Sequence, residues 1–463
     1  MQQNKTRHVR QIVALAWPIL VGQLALIAYG VADTMMVARY SAADLAAMAL
    51  GGSIYISIFL GLSGILLALS PKIAHAFGAQ QLPQIGALAR QGVWLALGLA
   101  ALGSLLLAFP APLLALAKAE PALEAKALSY LRLLALALPA TLCFTVYASL
   151  NNGLGRPKMV MLLQVWGLSL KILLNAWLIH GGLGVPALGG PGCALATVLV
   201  GWSNLLLGFM LLKRKREYRH FGLFGQGFSA PHWPTLRSLL AVGLPIGGGY
   251  FIEVTSFTFM AIFITRLGES ALAAHQITAN IGAVMYMLPL SIAQATSTLV
   301  AQARGAQQPA QVYAVTRSGL RTAVLAAVLL GVLAWLLRTQ IATLYTQDAQ
   351  VLQRILPLFV FLGAYQFFDA LQTTIAYVMR AYQIVVVPML INAFALWGVG
   401  LFGGCLLGLN PFGWALPTIA SGVSGFWLAN SSSLVLLAAT LFLYLRHVEK
   451  QSGTRAAYAQ TRV

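Results

Sequence analysis

Charge is what this sequence lacks. Aspartate and glutamate together number only 10 in 463 residues, and charged residues of all kinds make up 8%. With 59% hydrophobic residues and a mean hydropathy of +0.81, such a chain can be neither a soluble globular domain nor a disordered segment. It has the composition of a polytopic membrane protein. Cysteine is nearly absent too. Cys143, Cys193 and Cys405 lie far apart inside apolar runs, which rules out a disulfide framework or a zinc site and leaves small buried apolar residues. No HExxH, nucleophile elbow or phosphate loop occurs, so the sequence does not read as that of an enzyme. What the chain has instead is 29 lysines and arginines, for a formal charge of +19. Nucleic acid is one partner such a charge could serve, and membrane topology is another explanation of it.

Apolar runs between charged or Pro/Gly-rich breaks predict twelve crossings, each near the roughly 20 residues a bilayer needs. Six fall at 11–37, 47–77, 91–111, 127–151, 159–181 and 192–212. Six more fall at 238–265, 271–302, 318–341, 352–380, 385–408 and 421–446. No small-residue cleavage site follows Lys5, Arg7, Arg10 and the first run, which therefore reads as an uncleaved helix. With both termini placed in the cytoplasm, most of the 29 basic residues fall on the inner side, among them Lys5, Arg90, Arg317, Arg321, Arg380, Arg455 and Arg462. The positive-inside rule thus accounts for the charge, and nucleic acid is not needed. The expected fold is all-α, with twelve transmembrane helices in two pseudo-symmetric six-helix lobes. Residues 1–212 form the first lobe, 213–236 a basic linker read as a solvated loop, 237–450 the second lobe and 451–463 a cytoplasmic tail. Nothing in the sequence asks for a second copy, so a monomer in the bilayer is expected.

The two lobes are copies. Pro18 to Gln80 lies over Pro245 to Gln307 without a gap. Pro18 then meets Pro245, Arg39 meets Arg266, Leu45-Ala46-Ala47 meets Leu272-Ala273-Ala274, and the Gly-Ala-Gln triplets ending at Gln80 and Gln307 coincide. An Ala- and Leu-rich composition does not place prolines, arginines and glycines in one register by chance. Six crossings return the chain to its starting side, so the halves run parallel. Gly78 and Gly305 read as helix C-caps.

Of the acids, only Asp33, Glu253 and Asp369 fall inside apolar runs. At 1.5 Å per residue, Glu253 lies about 24 Å from Arg237 and about 20 Å from Arg266, and Asp369 about 22 Å from Arg354, so both sit at central depth. A carboxylate there costs roughly 2.5 to 3.5 kcal/mol on insertion scales and should face protein, water or a ligand. Two such groups facing one cavity would repel each other and favour an arriving cation or proton, sodium included. Tyr365 stands one turn before Asp369 on the same face. Asp33 lies nearer the outer side, at a depth comparable to Lys171, which predicts an Asp33–Lys171 ion pair within the first lobe, and Asn175 is a further polar position on the fifth crossing. His275, Gln276, Asn280, Tyr286 and Gln372 are polar positions that either glue helices or touch substrate. Rings and sulfurs at Phe257, Tyr286 and Met285 suit flat organic cations.

These motifs resemble those of the multidrug and toxic compound extrusion (MATE) family, NorM branch. The resemblance is carried by Pro18 to Asp33 with the following TMMVARY, FIEVTSF around Glu253, AAHQITAN from Ala273, YQFFDALQ around Asp369, and the paired GAQ elbows. It implies two six-helix lobes about a V-shaped cavity and export of organic, mostly cationic, compounds in exchange for sodium ions or protons, without a cofactor. It also implies that Glu253, Tyr365 and Asp369 bind the coupling cation, and that Asp33 and Asn175 belong to a first-lobe polar cluster. Where the family pattern has asparagine, this chain has Lys171, whose ammonium would compete with a metal ion at Asp33. The coupling cation is therefore expected in the second lobe. A lipid-linked or polysaccharide flippase of related build is the alternative, disfavoured by the lack of an arginine at central depth. Against an intramembrane enzyme using Glu253 and Asp369 as acid and base stands the absence of any HExxH, paired-Asp, nucleophile-elbow or phosphate-loop motif, and a non-catalytic receptor or scaffold would explain neither the duplication nor the buried acids.

Overall fold

The computed structural model describes residues 2–115, 121–182, 184–224 and 230–460, without side chains at 2–5, 113, 115 and 452–460. Lys5, Arg455 and Arg462, assigned above to the inner side, lie outside the residues so described. The chain is all-α: among the described residues the only β feature is an isolated bridge between Gly182 and Val185. Among the described residues twelve helices are long and apolar enough to cross a membrane. They are α1 (Thr6–Tyr40), α2 (Ala42–Gly78), α3 (Leu82–Ala108), α4 (Pro121–Gly153), α5 (Pro157–His180), α6 (Gly190–Arg214), α7 (Trp233–Leu267), α8 (Glu269–Gly305), α9 (Pro309–Leu336), α10 (Ala349–Ala381), α11 (Val386–Gly408) and α12 (Gly422–Gln451).

Two of these begin about nine residues before the apolar runs do. The sequence takes Arg90 and Arg317 as loop residues before crossings at 91–111 and 318–341, whereas both lie inside α3 and α9. Prolines explain the difference. Pro83 and Pro309 sit in the first turn of their helices, where the missing N–H costs nothing and the fixed φ suits a helix start. A polar first turn then projects beyond the apolar part of the span.

The C-cap expectation is corrected in a similar way. α2 and α8 do end at Gly78 and Gly305, but the left-handed residue is the glutamine two positions on, with φ 58° at Gln80 and 56° at Gln307. The Gln81 N–H bonds the Ala76 carbonyl at 2.9 Å and the Gln80 N–H bonds that of Phe77 at 3.1 Å, and Gln308 and Gln307 repeat this on Ala303 and Arg304 at 3.0 Å each. This is the Schellman pattern. It recurs after α4, with Gly155 at φ 72°, and after α10, with Gln383 at φ 61°. The internal repeat therefore extends past the stretch where the sequence shows it.

The helices group into two compact units, residues 21–247 and residues 1–20 with 248–463. The division falls inside α1 and α7, two residues beyond the helix-interior prolines Pro18 and Pro245. In the second unit Ile12, Ala16 and Ile19 of α1 pack on Ile292 and Ala295 of α8 and Ala323 of α9. The first unit keeps the linker because the linker is not a solvated loop. Tyr218 and Phe221 are 2% and 4% exposed, in the 3-10 turn at Arg216–Phe221. Gln91 of α3 accepts the His232 N–H at 2.8 Å and donates to the Ala230 carbonyl at 2.9 Å, and Arg90 donates to the Gly222 carbonyl. Gly86 permits the approach, since a Cβ there would overlap the Phe221 carbonyl oxygen. The expectation of a loop in solvent fails because two aromatic rings are spaced to dock while the basic residues between them stay exposed.

Candidate functional site

In the second unit, α10 carries Asp369 at 4% exposure, in the middle of its span. Its Oδ1 accepts from Gln372 Nε2 at 2.8 Å, and the same amide reaches Thr373 Oγ1 at 3.0 Å. Thr373 donates in turn to the Tyr286 hydroxyl of α8 at 3.4 Å. Three residues named from sequence, Asp369, Gln372 and Tyr286, are thus joined through a threonine that sequence reasoning passed over. The Thr373 hydroxyl gave no signal, because a threonine in an apolar helix usually bonds its own backbone.

Glu253 of α7 is half-buried. Among the described residues its carboxylate makes no hydrogen bond or ion pair. Its charge is nevertheless felt by Asp369, Tyr286 and Tyr365. One turn along each helix lie the rings of Phe257 and Tyr365, edge to face at 6.2 Å. Trp427 of α12 continues this aromatic layer at 5.8 Å from Tyr365, and His275 of α8 closes it at 6.0 Å from Trp427. His275 is 2% exposed and its Nδ1 meets no partner, as does Trp427 Nε1, which leaves two buried polar atoms suited to ordered water. Gln276 and Asn280 are exposed and bonded only to each other's turn, Asn280 Nδ2 to the Gln276 carbonyl at 3.0 Å, so the structure does not bring them to this cluster.

A cation also belongs to the surroundings of Glu253. Arg380, assigned from sequence to the inner end of the crossing at 352–380, is the last-turn arginine of α10, and its guanidinium lies over the Tyr377 ring at 4.0 Å and the Tyr250 ring at 5.5 Å. The two tyrosine hydroxyls are 2.9 Å apart, and Arg380 acts electrostatically on Glu253. Its sequence position at a helix end hid this, since a long side chain can run back along its own helix.

In the first unit the ion pair expected from sequence is present. Lys171 Nζ lies 3.1 Å from Asp33 Oδ1, with side-chain exposures of 1% and 16%. Asn175 Nδ2 donates to the same Oδ1 at 2.7 Å, and Lys171 also reaches Thr197 Oγ1 and, at 3.3 Å, the Cys193 carbonyl. All three ammonium protons thus have oxygen partners. Among the described residues no group of three His, Cys, Asp or Glu gathers as a metal-ligand set in either unit.

The MatE family model matches residues 18–177 and again 245–406. The chain belongs to the MATE family, NorM branch. The two matches begin at Pro18 and Pro245, the frame in which the internal repeat lines up. A "Probable multidrug resistance protein NorM" of Aromatoleum aromaticum is 41% identical over 94% of this chain and 92% of its own length. "Multidrug resistance protein PmpM" of Pseudomonas aeruginosa is 40% identical over 91% of this chain and 87% of its own. Among solved structures, an outward-facing MATE transporter superposes with a TM-score of 0.86 at 20% identity, covering 96% of both chains. In this MATE chain, twelve helices and membrane embedding stand, as does a transporter rather than an enzyme.

Proposed function

We propose that this MATE protein exports organic, mostly cationic, compounds across the bacterial inner membrane in exchange for sodium ions or protons, as a monomer with both termini in the cytoplasm. The names of its relatives support multidrug efflux, and the buried acids support a cationic traveller. Residues 1–212 and 237–450 act as the two lobes, joined by the linker at 213–236 and followed by the tail at 451–463.

One observation carries this reading: among the described residues Glu253 keeps a carboxylate without a bonded partner inside a membrane helix, within electrostatic reach of Asp369. In a low-dielectric setting that repulsion is relieved by a proton or cation. Glu253, Asp369 and Tyr365 form the coupling site, with Tyr286 and Gln372 as further oxygens. A sodium ion there would draw on hydroxyls and amide oxygens as well as carboxylates. Ion and drug exclude each other at the pair, so ion entry from outside favours drug release outward. Each tenfold preference of the ion for one conformation shifts that balance by about 1.4 kcal/mol. His275 and Trp427 flank the site, while Asp33, Lys171 and Asn175 hold the first lobe together.

The test is substrate efflux from reconstituted vesicles under a sodium gradient alone and then a pH gradient alone. Glu253→Gln should abolish ion-driven efflux under whichever gradient drives the wild type, with insertion unchanged. Normal efflux by that variant overturns the assignment.

A further inference from the structure

The repeat supplies a comparison within the molecule. In the first unit, the turn after α4 meets the chain that follows α6. Tyr218 enters the notch between them, donating its hydroxyl to Asn151 Oδ1 at 2.6 Å under the Arg156 guanidinium at 5.5 Å, while Arg156 pairs with Glu217 at 2.6 Å. The first lobe therefore fills this notch with its own side chain.

In the second unit, the corresponding turn after α10 meets the end of α12. There a guanidinium again lies on a tyrosine ring, Arg304 over Tyr382 at 4.3 Å. No counterpart of Tyr218 enters among the described residues, and a cavity of about 360 Å³ remains. Its polar lining is Arg304, Tyr382, Tyr444, His447 and Gln451. Each carries an N–H or O–H and no carboxylate is among them; Gln451 Nε2 and His447 Nε2 lie 2.8 Å apart and share one proton, which leaves His447 Nδ1 and the second amide proton for a ligand. Arg304 spends one N–H on the Ala381 carbonyl at 2.6 Å, which leaves its others for a ligand. One acid, Glu449, acts on Tyr382 from the same stretch of α12, with Arg446 beside it. The balance is donor-rich and basic.

We infer that this cavity binds a phosphate ester of glycerophosphate type. A guanidinium, an imidazole and two phenols converging on one space match phosphate oxygens. The volume is far more than the roughly 30 Å³ of a water and falls at the lower end of the ~300–1,000 Å³ of ligand pockets, so it takes a phosphate carrying a small polar group rather than a bare ion. Two sources share that chemistry: the headgroup of an anionic phospholipid, and a soluble phosphate monoester. The site is separate from Glu253 and Asp369, and it stands whether or not the exchange reading does.

The experiment measures thermal stabilisation of the purified full chain by sn-glycerol 3-phosphate, by dioleoyl phosphatidylglycerol in mixed micelles, and by dioleoyl phosphatidylcholine as control. Stabilisation by phosphatidylglycerol alone assigns the lipid source, and stabilisation by glycerol phosphate as well assigns the soluble one. His447→Leu and Tyr444→Phe should each weaken the effect about tenfold, as expected for loss of one charge-assisted hydrogen bond to a phosphate oxygen. Arg304→Gln should abolish it, but because that arginine also caps α10, the first two variants decide. Equal stabilisation by phosphatidylcholine, no stabilisation by any probe, or full stabilisation of both His447→Leu and Tyr444→Phe overturns the inference.

Discussion

Asp33 and Glu253 are both acids in membrane helices, but their surroundings set them apart. Asp33 shares one oxygen between an ammonium at 3.1 Å and an amide at 2.7 Å, whereas Glu253 has no bonded partner among the described residues. Removing one member of a buried pair costs about 3–5 kcal/mol, because the other charge is left without compensation. Lys171→Met should therefore destabilise strongly, and Asp33→Asn combined with Lys171→Met should recover most of the loss. A double variant no better than Lys171→Met, measured by thermal unfolding in detergent, would show that the pair is not a unit. Lys171→Asn tests the functional side: it opens a polar place at Asp33, and the sodium dependence of efflux should change. An unaltered ion response would remove the ammonium from any part in ion selection. Arg380 belongs at this scale too. A guanidinium stacked on Tyr377 offsets part of the charge at Glu253, so Arg380→Gln should alter the gradient dependence of efflux more than the amount of inserted protein.

At the scale of elements, the linker and the turns repeat one lesson about close backbone approach. The described ends of the strap, 216–224 and 230–232, meet α3, the first because Gly86 has no Cβ to meet the Phe221 carbonyl, and the Tyr218 and Phe221 rings are buried with it. Burial pushes the Tyr218 hydroxyl above the ordinary tyrosine range, against the pull of Arg156, so its bond to Asn151 keeps a proton across physiological pH. Gly86→Ala should free the strap, and trypsin should then cut at the exposed Arg216 and Arg219 several-fold faster than in the wild type; unchanged cleavage would mean the clamp does not hold the segment. The left-handed glutamines give a second expectation. A non-glycine residue there costs about 1–2 kcal/mol, and a β-branched one more. Gln307→Val should lower stability, and Gln307→Gly should leave it equal or raise it by up to about 1 kcal/mol, as unfolding in detergent will report. Twelve crossings, the repeat and the three acids were legible because hydropathy, register and charge are properties of the chain itself. The strap was not, since its docking depends on two rings meeting a glycine more than a hundred residues away. Neither was Thr373, nor the inward reach of Arg380, because both depend on which neighbour a side chain finds after folding.

For the molecule as a whole, the charge of +19 is a statement about sides. Each half makes six crossings, so equivalent positions of the two halves must face the same compartment if the copies run parallel. The Schellman turns at Gln80, Gln307 and Gln383 all follow even-numbered helices, and so does the basic strap after α6. Opposite them lie the elbows at Ser41 and Gly268, before α2 and α8. A positive-inside orientation would put the first set in the cytoplasm and the second outside. Three native cysteines are few enough to replace, which makes this testable with single cysteines. After Cys143, Cys193 and Cys405 are changed to Ala or Ser, cysteine at Gln80 or Gln307 should react with a membrane-impermeant maleimide only in inverted vesicles, and cysteine at Ser41 or Glu269 only in intact cells. If Gln80 and Gln307 label from opposite sides, the halves are antiparallel and the duplication has been misread. If all four labels exchange sides, the copies remain parallel but the basic surface faces outward, and the proposed direction of ion entry at Glu253 must be reversed.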